Sequence, residues 1–332
     1  MGALAQMQTY VWICRDPFTM NQTMTTDHET EAENDSARNR STVVFGEVLY
    51  DCFEDGRKRL GGAPFNVAWG LAAFGADPLF VSAVGQDEDG DSIMDRMQEW
   101  DLSEAGLQES PHYETGRVEV AIEDGEPRYE VPSPRAWDFI EDEGFFADRL
   151  LYHGSLALRG EFSAKTLAAI RERSRGARFY DVNLRPPHTP LPLVREWLEG
   201  ADWAKLNLDE LAEVSGRKDL GFDHAEAAID EVRDRYGVGT VLLTAGTEGA
   251  RIRGGFGEAS LAPAPEVERF VDSVGAGDAF TAVTLFGILN GWDAAEIVGR
   301  ASEFAAKVCG LSGATTTDRD FYHYEAWQKK KD

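Results

Sequence analysis

From Thr42 onward the chain alternates short apolar runs with amphipathic stretches. STVVFGEVLY (41–50) reads as one strand, ending near Asp51, and DPLFVSAVG (77–85) as another. Between them, PFNVAWGLAAFG (64–75) reads as a small-residue helix with Pro64 in its first turn, where Pro is tolerated. DSIMDRMQEW (91–100) is amphipathic helix. The alternation continues with strand LLYHGS, helix SAKTLAAIRERS, strand ARFYDVN, helix LPLVREWLE, strand DWAKLN, helix HAEAAIDEVRDRY and strand TVLLTAG. Apolar strands alternating with helices predict βαβ units around a mostly parallel sheet covered on both faces. A last strand, VERFVD (267–272), is expected to lead into the apolar helix DAFTAVTLFGILN.

Two stretches break the alternation. LYDCFEDGRKRLGG (49–62) and GRVEVAIEDGEPRYEV (116–131) each hold an Asp-Gly turn between extended pieces, with no crossover helix directly after. They are expected to form a small β-sheet outside the main one, either a flap over a cleft or a peripheral structure, with lid boundaries near 49–61 and 113–131. Residues 1–41 contain the polar, aperiodic MTTDHETEAENDSARNRS and are expected to be a disordered leader. The folded domain is expected over 42–325 and a solvated tail over 326–332.

Composition narrows the function. The formal net charge is −26, which disfavours nucleic-acid and anionic-membrane partners. Only 8 of the 33 basic residues are Lys; the acidic surface suits a high-salt interior or an ordinary acidic enzyme. No apolar run is long enough for a membrane span. MGALAQMQTYVWICRDPF lacks the form of a secretory signal. The scattered Cys14, Cys52 and Cys309 suggest neither a disulfide framework nor a zinc site. A cytoplasmic location is expected.

The chemistry concentrates in two glycine-rich turns. In VDSVGAGDAF, Gly275, Ala276 and Gly277 open a helix, and Asp278 lies in its first turn. One reading is a turn and a cap. The other is an anion pocket of backbone N–H groups beside a carboxylate, which suits phosphoryl transfer to an alcohol. No G-x-x-x-x-G-K-[ST] is present, which excludes a P-loop, and no dinucleotide fingerprint follows the first strand. In the N-terminal turn, Gly61-Gly62 precedes a helix carrying Asn66. Asp51 and Asn66 read either as turn and helix-start residues or as partners for vicinal hydroxyls. Trp69 and Trp137 are candidates for the sugar side or the core, and Arg185 for a phosphate, a sugar or a cap.

GGAPFNVA and DSVGAGDAF, in this order, resemble the two signatures of the ribokinase-like (PfkB) sugar kinases. The similarity runs from about Thr42 to Thr315. VGQDEDGD (84–91), KLNLDE (205–210) and TAGTEGA (244–250) resemble three further family motifs. GEVLYDCFEDG, GGAPFNVAWGLAAFG and DVNLR look most like the fructokinase branch. The resemblance implies a three-layer α/β fold with a β-sheet lid and ATP-dependent phosphorylation of a sugar's primary hydroxyl, fructose above all. Ribose, 2-keto-3-deoxygluconate or a nucleoside acceptor, or a silent sugar-binding protein, are the alternatives.

By the same resemblance, Asp278 would be the base and Gly275, Ala276 and Gly277 the anion hole. Asp51, Gly62 and Asn66 would hold the sugar, and Asn183, Thr244 and Gly246 would line the ATP site. Asn207 and Glu210 would organise Mg²⁺ through water, and Asp272 would help hold a monovalent cation such as K⁺. Ser273 replaces the commoner Thr, and Ser302 stands where the closing helix often has Asn near adenine. A homodimer through the lid is also implied.

Overall fold

The computed structural model describes residues 39–123 and 126–323. Its strands are β1 (Asn39–Phe45), β2 (Leu49–Phe53), β3 (Lys58–Gly61), β4 (Pro78–Gly85), β5 (Leu107–Ser110), β6 (Gly116–Glu123), β7 (Glu126–Glu130), β8 (Phe146–His153), β9 (Ala177–Asp181), β10 (Trp203–Asn207), β11 (Thr240–Thr244), β12 (Ala250–Gly254) and β13 (Gly257–Leu261). The helices are α1 (Ala63–Ala73), α2 (Glu88–Glu99), α3 (Glu161–Arg173), α4 (Leu191–Leu198), α5 (Leu208–Ser215), α6 (Glu226–Tyr236), α7 (Ala276–Asn290), α8 (Ala294–Val308) and the short α9 (Arg319–Tyr322).

Nine strands form the main sheet in the order β13-β12-β11-β10-β9-β8-β1-β4-β5. Every pairing from β5 to β11 is parallel, and β12 and β13 close one edge antiparallel. Successive side chains of a strand point to opposite faces. Accordingly Val43 and Phe45 join the core under α3–α6, while Val44 joins the core under α1, α2, α7 and α8. α1 is built of small residues because it packs close to α7. A Cβ on Gly70 would lie 2.9 Å from the Ala282 Cβ.

A second sheet, β3-β2-β6-β7, lies outside the alternation. β2–β3 and β6–β7 are the two hairpins expected from the sequence, joined through a parallel β2–β6 pairing. The Asp55-Gly56 turn closes the first, with Gly56 at φ 83°. Asp124 and Gly125 of the second lie outside the described residues.

The chain departs from the sequence reading in four places. STVVFGEVLY is two strands, because the chain turns at Gly46 (φ 152°), where a Cβ would meet the Pro64 ring at 2.3 Å. Asp51 therefore lies inside β2 of the small sheet and does not end the first main-sheet strand. VERFVD forms no strand: the N–H groups of Val271 and Asp272 donate to the Cys309 carbonyl at the end of α8, and Phe270 is 67 % exposed. The β12–β13 hairpin and β5 extend the main sheet at its two edges. β1 starts at Asn39, so the last three residues of the expected leader belong to a strand. Residues 1–38 and the expected tail lie outside the described residues, which all fall in one compact unit, Ala37–Asp332.

Candidate active site

Two helices begin on glycines with positive φ. α7 is capped by Gly275 at φ 80°, where a Cβ would come 2.3 Å from the Ala314 Cβ. Only glycine satisfies both the dihedral and the space. The next residues, Ala276, Gly277 and Asp278, form the first turn, whose N–H groups lack intrahelical acceptors. α1 is capped by Gly62 at φ 105°, where a Cβ would come 2.6 Å from the Glu47 carbonyl oxygen. The two helix starts meet through one hydrogen bond: Asn66 Nδ2 donates to Asp278 Oδ2 at 2.8 Å.

Asp278 is half-buried at the floor of this junction. Burial pushes its carboxyl above the usual aspartate range, and nearby Asp181 pushes the same way; the Asn66 bond and the charges of Lys205 and Arg185 oppose them. Beneath the turn, Lys205 Nζ bonds both oxygens of Asp181 at 3.0 and 2.9 Å, and Thr281 Oγ1 donates to Asp181 Oδ2 at 3.0 Å. These are register partners on neighbouring strands, Asp181 of β9 and Lys205 of β10. Burial works against the Lys205 charge, but Asp181 and Glu210 outweigh it and hold the ammonium above its usual range. The ammonium lies 3.5 Å from where a Gly277 Cβ would be, so a fixed positive charge underlies the Gly275–Gly277 turn.

The small sheet reaches the same place. Asp51 of β2 pairs directly across from Arg59 of β3, which sets both side chains on one face. Burial raises the Asp51 carboxyl, with Arg59 and Arg185 opposing. Arg59 Nη1 meets Asp272 Oδ2 at 3.3 Å, and its Nη2 donates to Ser312 Oγ at 2.7 Å. Asp272 Oδ1 accepts the Val274 N–H at 3.1 Å.

At the adjacent strand ends, Asn207 of β10 and Thr244 of β11 are register partners. Gly246 follows Thr244 in a one-turn helix at φ 55°. Asn207 caps α5 in a reciprocal box: its Oδ1 accepts the Glu210 N–H, and Glu210 Oε2 accepts the Asn207 N–H, both at 2.8 Å. Glu210 Oε1 accepts the Leu184 N–H at 2.7 Å, which ties down the loop where Asn183 sits at φ 38°. Burial raises the Glu210 carboxyl against the pull of Lys205.

Residues 39–320 match the family described as pfkB family carbohydrate kinase. The chain belongs to this family. It is a sugar kinase, a phosphotransferase with an alcohol group as acceptor. It is 30 % identical over 297 residues to a fructokinase of Salmonella typhimurium, covering 83 % of this chain and 94 % of that one. A fructokinase of Klebsiella pneumoniae is 31 % identical over 292 residues, covering 82 % and 92 %. Among solved structures, aminoimidazole riboside kinase from Salmonella enterica, complexed with aminoimidazole riboside and an ATP analogue, superposes with a TM-score of 0.72 at 24 % identity. That match covers 85 % of this chain and 99 % of the other. Fructokinase from Vibrio cholerae O395, with fructose, ADP and calcium bound, gives 0.69 at 21 %, covering 86 % and 98 %. At these identities the two structures establish the shared fold.

In this kinase Asn66 and Asp278 meet where α1 and α7 begin, and Asn207, Thr244 and Gly246 lie at and just beyond the carboxyl ends of β10 and β11, whereas Asp51 lies in the small sheet. The two tryptophans pack in the core. Trp69 stacks on Trp100, and Trp137 is 0 % exposed beneath the Arg159 guanidinium. Arg185 is exposed, hydrogen-bonds the Leu184 carbonyl, and acts through its charge on Asp51 and Asp278. Ser302 is buried in α8, its hydroxyl without a partner among the described residues.

Sequence reading misses Glu47, Arg59, Asp181 and Lys205. A signal existed for three of them: Glu47, Asp181 and Lys205 are charged residues in otherwise apolar runs, FGEVLY, RFYDVN and DWAKLN. Such positions are buried when a parallel sheet is covered on both faces.

Proposed function

We propose that this kinase transfers the γ-phosphoryl group of ATP to a primary hydroxyl of fructose, giving fructose 6-phosphate, with Asp278 as general base. The Asn66–Asp278 hydrogen bond carries the reading, because it holds a hydroxyl-binding amide and a carboxylate base within one side chain's reach. Asp278 takes the hydroxyl proton; the oxygen forms a bond to the γ-phosphorus, and the bond to the β-phosphate oxygen breaks to leave ADP. The Gly275–Gly277 turn, with Lys205 beneath it, offsets the charge spread over the migrating group. Asp51 and Gly62 complete the sugar side, and Asn183, Thr244 and Gly246 line the nucleotide side. The charged lid closes over the sugar and excludes water.

Mg²⁺ would neutralise the phosphates. Among the described residues no three His, Cys, Asp or Glu side chains gather as a metal site. Both Glu210 oxygens already hold N–H groups, so Asn207 and Glu210 fit a role through metal-bound water only. A monovalent cation such as K⁺ at Asp272 would share that carboxylate with Arg59.

Fructose is favoured over other acceptors by the fructokinases at 30–31 % identity. Ribose, 2-keto-3-deoxygluconate or a nucleoside is the alternative. A coupled ADP-release assay over these sugars tests the proposal; fructose is expected to give the highest kcat/KM. Preference for another sugar overturns the acceptor, and sugar binding without ADP release overturns the kinase. A cytoplasmic location and a homodimer through the lid belong to the same proposal. No helix among the described residues is long and apolar enough to cross a membrane. Sedimentation of the purified chain reads the dimer directly.

A further inference from the structure

Among the described residues twelve buried side-chain atoms lack a hydrogen-bond partner, and three of them belong to residues linked to Asp278 by a hydrogen bond or by charge: Glu47 Oε2, Asn66 Oδ1 and Tyr152 Oη. Among the described residues Glu104 Oε1 also lacks a partner, but three other buried carboxyls are each held by several groups. Arg159 holds Asp138, Lys205 and Thr281 hold Asp181, and two backbone N–H groups hold Glu210. An unsatisfied buried group is costly, so native interiors rarely keep one without a use.

The position of Glu47 suggests the use. It is 3 % exposed and follows Gly46 just past the carboxyl end of β1, between β4 and β8 in the sheet. Its backbone abuts Gly62, the cap of the helix that carries Asn66. Its charge interacts with Asp278 and Arg185, and both Glu47 and Asp278 act on the Tyr152 phenol. The backbone contact sets Glu47 beside the start of the helix whose Asn66 holds Asp278. No Arg or Lys pairs with it at salt-bridge distance among the described residues.

We propose that Glu47 contacts the acceptor sugar, its carboxyl meeting a hydroxyl other than the one phosphorylated while Asn66 Oδ1 accepts from a neighbouring hydroxyl. A carboxyl suits this task because it accepts a hydrogen bond when ionised and donates one when protonated, matching a hydroxyl in either sense. The inference rests on the sugar-kinase reading and deepens it. The acceptor is a polyol that offers at least two hydroxyls besides the reacting one.

The test compares wild type with Glu47→Leu and Glu47→Gln in the full chain. Four quantities are read: the Tm without ligand, the Tm shift on adding fructose, and the KM for fructose and for ATP. Glu47→Leu is expected to raise the fructose KM by roughly 10–100-fold, the scale of a lost hydroxyl contact. It should leave the ATP KM within about twofold and abolish the fructose-induced Tm shift. Its ligand-free Tm should equal or exceed the wild type's, because an unpaired carboxyl has been removed. Glu47→Gln should lose less, since it keeps a donor and an acceptor; it carries the test if the leucine variant fails to fold. A monodeoxy fructose that weakens binding to wild type, but not further to Glu47→Leu, identifies the hydroxyl.

An unchanged fructose KM in both variants overturns the inference. So does a fall in Tm with both KM values rising together, which marks a structural role. If the wild type releases no ADP with any sugar, the kinase reading fails, and the fructose-induced Tm shifts still decide the part played by Glu47.

Discussion

The two sides of the cleft are built differently. On the proposed nucleotide side, Asn207, Glu210 and the Leu184 N–H satisfy one another, and Thr244 lies in register beside Asn207. On the proposed sugar side, Glu47 Oε2 and Asn66 Oδ1 lack partners among the described residues, and the Glu47 carboxyl, withdrawn from water by burial, is pushed up to about 7. The contrast fits two tasks. A phosphate chain is recognised by fixed backbone donors and helix ends, which preorganise at little cost. A sugar is recognised by side-chain groups kept unpaired until its hydroxyls arrive, at the expense of folding stability.

Five substitutions break or sharpen this contrast. The largest effect is expected at the junction of the two sides. Asp278→Asn should lower turnover by roughly 10²–10⁴-fold, the usual worth of a positioned general base, while calorimetry finds fructose and ATP still bound. Lys205→Met leaves Asp181 buried without its cation and should cost about 3–5 kcal/mol in denaturant unfolding. Adding Asp181→Leu should recover part of that loss. Glu210→Gln can accept only one of the two N–H groups, so it should cost about 1 kcal/mol. It should raise the KM for MgATP and leave the sugar KM unchanged. The smallest effect is expected at the lid: Arg59→Gln removes a half-exposed pair worth about 0–1 kcal/mol. It should enlarge the Tm gain from K⁺ over Na⁺, because Asp272 no longer has an internal cation. If Glu210→Gln disturbs sugar and nucleotide equally, the division between the two sides fails.

Much of this arrangement is legible in the sequence where local rules decide it. Apolar strands alternating with helices give the parallel sheet, and the two Asp-Gly hairpins give the lid. The glycine pairs mark helix starts where a side chain has no room, as Gly62 and Gly275 do. Legibility ends where distant segments decide. Gly46 breaks an apparently continuous strand because Pro64 packs against it. VERFVD has a strand's composition but is held by the end of α8. Arg59 acquires its role only because β3 pairs it with Asp51 and brings it to Asp272, far along the chain. Lys205 and Asp181 were readable as charges needing each other, but their common site under Gly277 follows from strand order, which no single motif encodes.

The central claim is that the Asn66–Asp278 contact holds the base at the sugar. It is tested most directly by the pH profile of kcat, at saturating sugar and ATP, in wild type and Asn66→Ala. Asp278 must be ionised to act, so activity falls as pH drops through its pKa. Burial raises that pKa and the Asn66 hydrogen bond lowers it. The account predicts an acidic limb above the ordinary aspartate range in wild type, displaced to still higher pH in Asn66→Ala. Limbs that coincide in the two proteins would contradict it.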